Sequence, residues 1–562
     1  MERPIIYQVL PRLLGAASQS NTFNGSIEEN GCGKLNHFNM RALKSIRNMG
    51  FNYIWYTGVI EHATCSDYSR FGIQKDNPVV VKGKAGSPYA IKDYYDIDPD
   101  LAEDVPNRMK EFEALIARTH KAGMKMIIDF VPNHVARQYH SDAHPEGVKD
   151  LGEDDNTTIR FSKHNNFYYT VGEQLSTDFN PVPTPTPYYE FPAKATGNDC
   201  FSSHPGKNDW YETVKLNYGV DYQWERTEYF HDNDDLPDTW HKMLDILRFW
   251  ATKGVDGFRC DMAEMVPCQF WGWAISQIKS EHPGIIFIAE VYNPWEYRNY
   301  IYNGHFDYLY DKVGLYDTLR GVVGGDSASK ITQCWQAVDD ISDHMLNFLE
   351  NHDEQRLASR FFAGNPLCGR SAMIVSALMR HNPFMLYAGQ ELGVAATEAE
   401  GFSGEDGRTT IFDYWTLDEF RRWNNNGMWN TTHLTKEEKS LRTFYSTLLN
   451  ICNGEKAISE GEFFDVMHAN YDNTLMDTNH QYAFIRKHEN EMILAVSNFE
   501  NKDVDTAVII PKHAFDYLNL PSGNYSAIDL LSGKTIEIQL MPDSPIGLKL
   551  EALNGLVLKF CL

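Results

Sequence analysis

No apolar run in the 562 residues approaches the roughly 20 that a membrane-crossing helix needs, which excludes a bitopic or polytopic helical protein. The opening stretch, Met1-Glu-Arg-Pro-Ile-Ile-Tyr-Gln-Val-Leu10, has no basic segment followed by a long apolar one. No secretory signal is therefore expected, and a cytoplasmic location is. Cysteine is sparse: nine residues, an odd number, without a Cys-x-x-Cys pair, argue against a disulfide framework and for a reducing compartment. Positive charge is also short, with 51 Lys and Arg against 77 Asp and Glu. The net charge of −26 would repel the phosphates of nucleic acids and of anionic lipids. Repeats and low-complexity tracts are missing apart from the run Pro181-Val-Pro-Thr-Pro-Thr-Pro187, and no obligate protein partner is evident. Aromatic residues, by contrast, make up 13% of the chain. Neutral polymers such as glycans, whose sugar faces stack on aromatic rings, remain allowed as partners.

The hydrophobic pattern alternates between short apolar runs and helical periodicity. Strands are predicted near residues 5, 53, 126, 257, 286, 307, 346 and 384, with helices such as 40–49, 108–122, 238–252, 267–281 and 370–380 between them. Eight β-α units favour an α/β fold of the closed (β/α)8 barrel type over an open doubly wound sheet. The rhythm breaks over 135–235, a stretch rich in aromatics and prolines that predicts a lid, a binding insertion or a small subdomain after strand three. After about Ser440 short alternating strands predict a terminal β-sandwich, with a hairpin over Tyr482–Arg486 and Met492–Ser497. The expected domains are thus 1–134 with 236–440 for the barrel, 135–235 for the insertion and 441–562 for the sandwich.

Gly254-Val-Asp-Gly-Phe-Arg-Cys-Asp261 organises the chemistry. Alternation along the strand points Arg259 and Asp261 the same way, and a guanidinium beside a carboxylate is expected to keep it ionised, as a nucleophile must be. Alone, Arg-x-Asp reads as a surface ion pair. The third strand, however, ends in Asp129-Phe-Val-Pro-Asn-His134, the fifth in Glu290, and the seventh runs into Asn351-His-Asp353 with Arg356 beyond. The carboxyl ends of barrel strands surround one pocket. Carboxylates converging there suit glycosidic cleavage, in which one acid stays ionised and another protonates the leaving oxygen.

The set Asp129-x-x-x-Asn133-His134, Gly257-Phe-Arg-x-Asp261, Glu290 and Asn351-His-Asp353 resembles the four conserved regions of the α-amylase family of glycoside hydrolases. Ile6-Tyr-Gln-Val-Leu-Pro-Arg12, Tyr89-x-x-x-Asp-Tyr-Tyr95 and Tyr387-Ala-Gly-Gln-Glu391 resemble further family segments, so the likeness covers nearly the whole chain. It implies a retaining double displacement on an α-glucan or malto-oligosaccharide. Asp261 would be the nucleophile, Glu290 the acid/base, and Asp353 the third catalytic carboxylate, holding sugar hydroxyls. Of the substrate-binding residues it implies, His134 and His352 would bind hydroxyls, Arg259 would orient Asp261, Tyr89 would stack beneath the sugar, and Arg356 would contact the next sugar. Three departures stand out. Glu264-Met265 replaces the family's Lys-His on the acceptor side. Lys215 stands where a calcium-binding acid is usual, and Cys32 interrupts a second calcium loop at Asn30–Gly33. Asn133 alone is a weak calcium site, so no cofactor is expected to be required. The altered acceptor side keeps open a glucan transferase working through the same intermediate. A catalytically dead, carbohydrate-binding or transporter-associated relative is the alternative from another class, although none of the carboxylates is missing.

Overall fold

The computed structural model describes residues 3–180, 187–232 and 234–562. The expected run of prolines falls almost wholly outside them. Eight parallel strands are present: β1 (Ile5–Val9), β2 (Tyr53–Tyr56), β3 (Lys125–Phe130), β4 (Gly257–Cys260), β5 (Ile286–Ala289), β6 (Tyr308–Tyr310), β7 (Met345–Leu346) and β8 (Phe384–Tyr387). They pair in the order β7-β6-β5-β4-β3-β2-β1-β8. Just past β7 the Asn347 amide donates to Pro383 O (3.0 Å) and Asn347 O accepts from the Met385 amide (2.9 Å), which closes the sheet into a barrel.

Alternation explains what fills it. Ile6, Trp55, Ile127, Ile286, Ile288, Leu346 and Met385 pack together inside the barrel. Their neighbours Ile54, Ile128, Phe258, Phe287 and Leu386 join the larger core beneath the helices. Gly257 opens β4 because a Cβ there would sit 2.7 Å from Ile286 Cγ1 and 3.0 Å from Ile286 O. The helices that interleave the strands include Met40–Met49, Arg108–Lys121, Asp238–Lys253, Cys268–Glu281 and Cys368–Leu378. Among the described residues no helix is long and apolar enough to cross a membrane.

The expected change of rhythm at Ser440 falls inside a helix, Lys436–Gly454. The polar opening Lys436–Ser440 hides it in the sequence. Its buried positions, including Leu441, Tyr445, Leu448, Leu449 and Cys452, nonetheless keep helical spacing, and Thr435 caps it reciprocally with Glu438. The β-rich domain starts instead at Glu462. It has a six-stranded antiparallel sheet and a two-stranded ribbon, Val504–Ile509 with Pro545–Leu550. The predicted hairpin is there, with Tyr482 opposite Ser497. Among the described residues of 135–235 only short pairs form, and one of them sets the site: His134–Ala136 runs antiparallel to Thr213–Lys215, which places Lys215 opposite His134.

Candidate active site

Arg259 is wholly buried and points into the barrel mouth from β4, in register with Asp129 on β3. Its Nη1 donates to Asp261 Oδ1 at 2.6 Å and lies 3.7 Å from Asp129 Oδ1, while Nε donates to the Tyr310 hydroxyl at 3.1 Å. Nη2 sits 2.7 Å from Glu290 Oε2, a charge contact without hydrogen-bond alignment. The rings of Trp55, Tyr89 and Tyr310 surround the guanidinium at 5.3, 5.4 and 5.5 Å. One cation therefore gathers acids from three adjacent strand ends.

That sharing bears on the carboxyl of Asp261. Burial pushes its pKa well up, Arg259 pulls it down, and the negative charges of Glu290 and Asp353 raise it further, so the net direction is upward. A guanidinium divided among three carboxylates offsets that rise less than a dedicated ion pair would. Glu290 is fixed by donors: the Met262 amide gives a hydrogen bond to Oε2 at 2.9 Å, and the Tyr292 hydroxyl gives one to Oε1. Met262 reaches that position in a left-handed conformation (φ 44°), rare for a side chain of its size. Asp129 receives Trp55 Nε1 (3.2 Å) and the Gly58 amide (3.0 Å) on Oδ2, and burial raises its carboxyl to about 6. Asp353 is likewise pushed up, to about 7, by burial and then by Glu290. Solvent tempers the burial contribution there, since 39% of its side-chain surface is open.

Both histidines are held neutral. Burial and the charges of Lys215 and Lys82 lower His134 to about 3. Burial and Arg259 push His352 well below its ordinary value. Gln8 Nε2 lies 2.8 Å from His352 Nδ1 and donates to it, so Nε2 carries the proton toward the Tyr89 hydroxyl and Asp353 Oδ2, the latter 3.2 Å away. The Tyr89 ring stacks on the same imidazole at 5.2 Å.

Arg356 does not join this group. It is buried on Glu350 Oε2 (2.8 Å), Thr409 Oγ1 (2.7 Å) and Ala388 O (2.9 Å), over the Tyr387 ring, so each of its three nitrogens is engaged within the protein. The cation whose charge acts on Asp353 from outside is Arg408, which is exposed. Glu264 does not stand free on the acceptor side either: its Oε2 accepts the Tyr292 and Asn293 amides at 2.7 and 3.0 Å and so fixes the loop after β5. Sequence reasoning missed Gln8, Trp55, Gly58, Met262, Tyr292 and Tyr310. Gln8 and Tyr310 could have been found by extending the alternation along β1 and β6. The Met262 amide carries no side-chain signal.

Calcium does not fit the residues at its expected place. Lys215 Nζ donates to Asn133 Oδ1 (2.7 Å) and pairs with Asp199 Oδ1 (2.6 Å), so an ammonium already lies between the two oxygens. At the second expected loop Asn30 Oδ1 is taken by the Thr22 amide (2.6 Å), and Lys34 Nζ takes Asp100 O (2.5 Å). A third acidic group, Glu61, Asp93 and Asp96, is buried. It carries its own cations, with Lys92 3.8 Å from Glu61 and Arg108 paired with Asp96.

The family model of the alpha amylase catalytic domain matches residues 20–302. The chain is similar to Alpha-amylase 2 of Dictyoglomus thermophilum, with 22% identity over 515 residues, covering 89% of this chain and 70% of that protein. Its fold matches a noncanonic maltogenic alpha-amylase, AmyB of Thermotoga neapolitana, with TM-score 0.61 at 19% identity, covering 100% of this chain and 99% of the other. A debranching enzyme of Nostoc punctiforme matches with TM-score 0.62 at 16% identity, covering 99% and 98%.

Proposed function

This chain belongs to the alpha-amylase family, and from that premise we propose that it hydrolyses α-glucosidic bonds of α-glucans or malto-oligosaccharides with retention of configuration. It is an alpha-amylase-like glycosidase acting on α-glucans. In the proposed first step an Asp261 oxygen forms a bond to the anomeric carbon while the bond to the leaving oxygen breaks, and the Glu290 proton passes to that oxygen. In the second, Glu290 takes a proton from water, the water oxygen bonds to the same carbon, and Asp261 leaves as carboxylate. Asp353 and the neutral His134 and His352 offer hydrogen-bonding positions for sugar hydroxyls, and Tyr89 offers a ring face. Arg356 is left out of the substrate contacts on the grounds given above. No metal is required in this reading, since Lys215 supplies a positive charge between Asn133 and Asp199.

The supporting observation is the contact of one guanidinium with both Asp261 and Glu290, which turns the two carboxylates toward a common volume. Retention requires their carboxyl groups to stand about 5–5.5 Å apart in the working enzyme. Nuclear magnetic resonance of maltoheptaose cleavage tests the reading directly: the α-anomer should appear first. First release of the β-anomer would overturn it, and products longer than the substrate would reassign the enzyme to glucan transfer.

A further inference from the structure

Trp224 and Trp295 are the most exposed large apolar side chains among the described residues, at 94% and 92%. Trp240, Trp250 and Trp271 are buried in the core, and an indole left in water gives up that stabilisation. Trp295 lies five residues past Glu290, in the loop that Glu264 grips through the Tyr292 and Asn293 amides. Its own amide donates to Asn293 Oδ1 at 3.2 Å, and the Glu296 amide donates to Asn293 O at 2.9 Å, so a tight turn presents the ring.

Trp224 sits at the tip of the hairpin Val220–Asp221 with Thr227–Glu228. The root of this hairpin is tied to the barrel mouth: the Tyr218 hydroxyl donates to Pro132 O at 2.7 Å, and its ring lies 4.9 Å from that of Phe270. The Tyr300 hydroxyl, just past the Trp295 turn, donates to Glu264 O (3.2 Å) and Val266 O (3.0 Å), a few residues before the same Phe270. The hairpin and the loop thus flank the same sector, beyond the carboxyl ends of β4 and β5. Glu290 protonates the leaving oxygen, so the departing sugar lies on its side of the cleft, and the loop that carries Trp295 extends from there.

We propose that Trp224 and Trp295 are stacking platforms for the sugar units of an α-glucan beyond the point of cleavage, so that long chains are held more tightly than short ones. This rests on the α-glucan reading of the site. Pyranose rings present apolar C–H faces that cover an indole, and a neutral chain meets no repulsion from a protein of net charge −26.

The test is calorimetric titration of the Asp261→Asn enzyme, which is not expected to consume its ligand, with maltoheptaose and with maltose. Trp224→Ala and Trp295→Ala should each weaken maltoheptaose about 5- to 10-fold and maltose less than about twofold, as expected for loss of a contact residue that only the longer chain reaches. Substitution by Phe should restore most of the affinity. Equal weakening at both lengths, or none, would overturn the proposal. So would a change of oligomeric state by light scattering with glucan affinity intact, which would assign the indoles to a second copy of the chain. If the Asp261→Asn enzyme with both tryptophans binds neither sugar, the α-glucan reading itself falls and takes this inference with it.

Discussion

Two buried arginines stand at the mouth of the barrel, and they behave differently. Arg356 faces one carboxylate, Glu350, whose second oxygen is taken by the Leu357 amide, and it donates also to Thr409 and Ala388. Arg259 faces Asp261, Glu290 and Asp129, and Asp129 Oδ1 is left without a hydrogen bond. The first set is balanced and holds shape. The second is short of positive charge, and burial raises the carboxyls of Asp261 and Asp129 within it. Residue type and position at the barrel mouth are shared; charge balance separates scaffold from site.

The largest effects should come from the unbalanced set. Asp261→Asn should lower turnover of malto-oligosaccharides by about 10,000-fold or more with an unchanged circular dichroism spectrum, because an amide cannot form the glycosyl ester. Glu290→Gln should cost about 100- to 10,000-fold on glucans and far less on glucosyl fluoride, whose leaving group needs no proton. Equal damage on both substrates would place Glu290 with Glu350, as scaffold.

The balanced set should fail in stability instead. Arg356→Met strands Glu350 in the interior and should remove about 3–5 kcal/mol of unfolding free energy in a denaturant titration. Arg356→Met with Glu350→Gln should recover part of it. A rise in KM without loss of stability would show that Arg356 reaches substrate after all.

A smaller effect depends on pH. The folded-state pKa of Asp129, about 6, lies above an unfolded value near 3.9, so the folded state holds the extra proton. The stability contribution of this group therefore falls as pH rises from about 4 to about 6 and is constant above. The stability difference between Asp129→Asn and wild type should move in the variant's favour across that window only. A difference that does not change with pH would mean that burial does not raise the Asp129 carboxyl. The smallest expected effect is none: dialysis against a chelator should leave activity unchanged, and a loss restored by calcium would contradict the role given to Lys215.

The barrel was legible because burial imposes a period on each element: the helix Met40–Met49 and all eight strands lie where alternation and helical spacing put them. The carboxylates at the strand ends were legible for the same reason, since Arg259 and its neighbours inherit their direction from the strands. Contacts made by backbone, such as the Met262 amide on Glu290, leave no trace in residue type. Arg356 was misplaced because a motif position does not reveal a competing partner six residues upstream, Glu350. The helix over Ser440 was read as strand territory because its opening turn is polar throughout.

The ammonium of Lys215 has one more consequence. A cation that belongs to the chain is present at fixed stoichiometry, and its encounter with Asn133 and Asp199 is intramolecular. Unlike a free ion, it cannot be diluted away. The junction between the barrel and the inserted domain thereby carries a positive charge of its own, at a place set by the Thr213–Lys215 pairing.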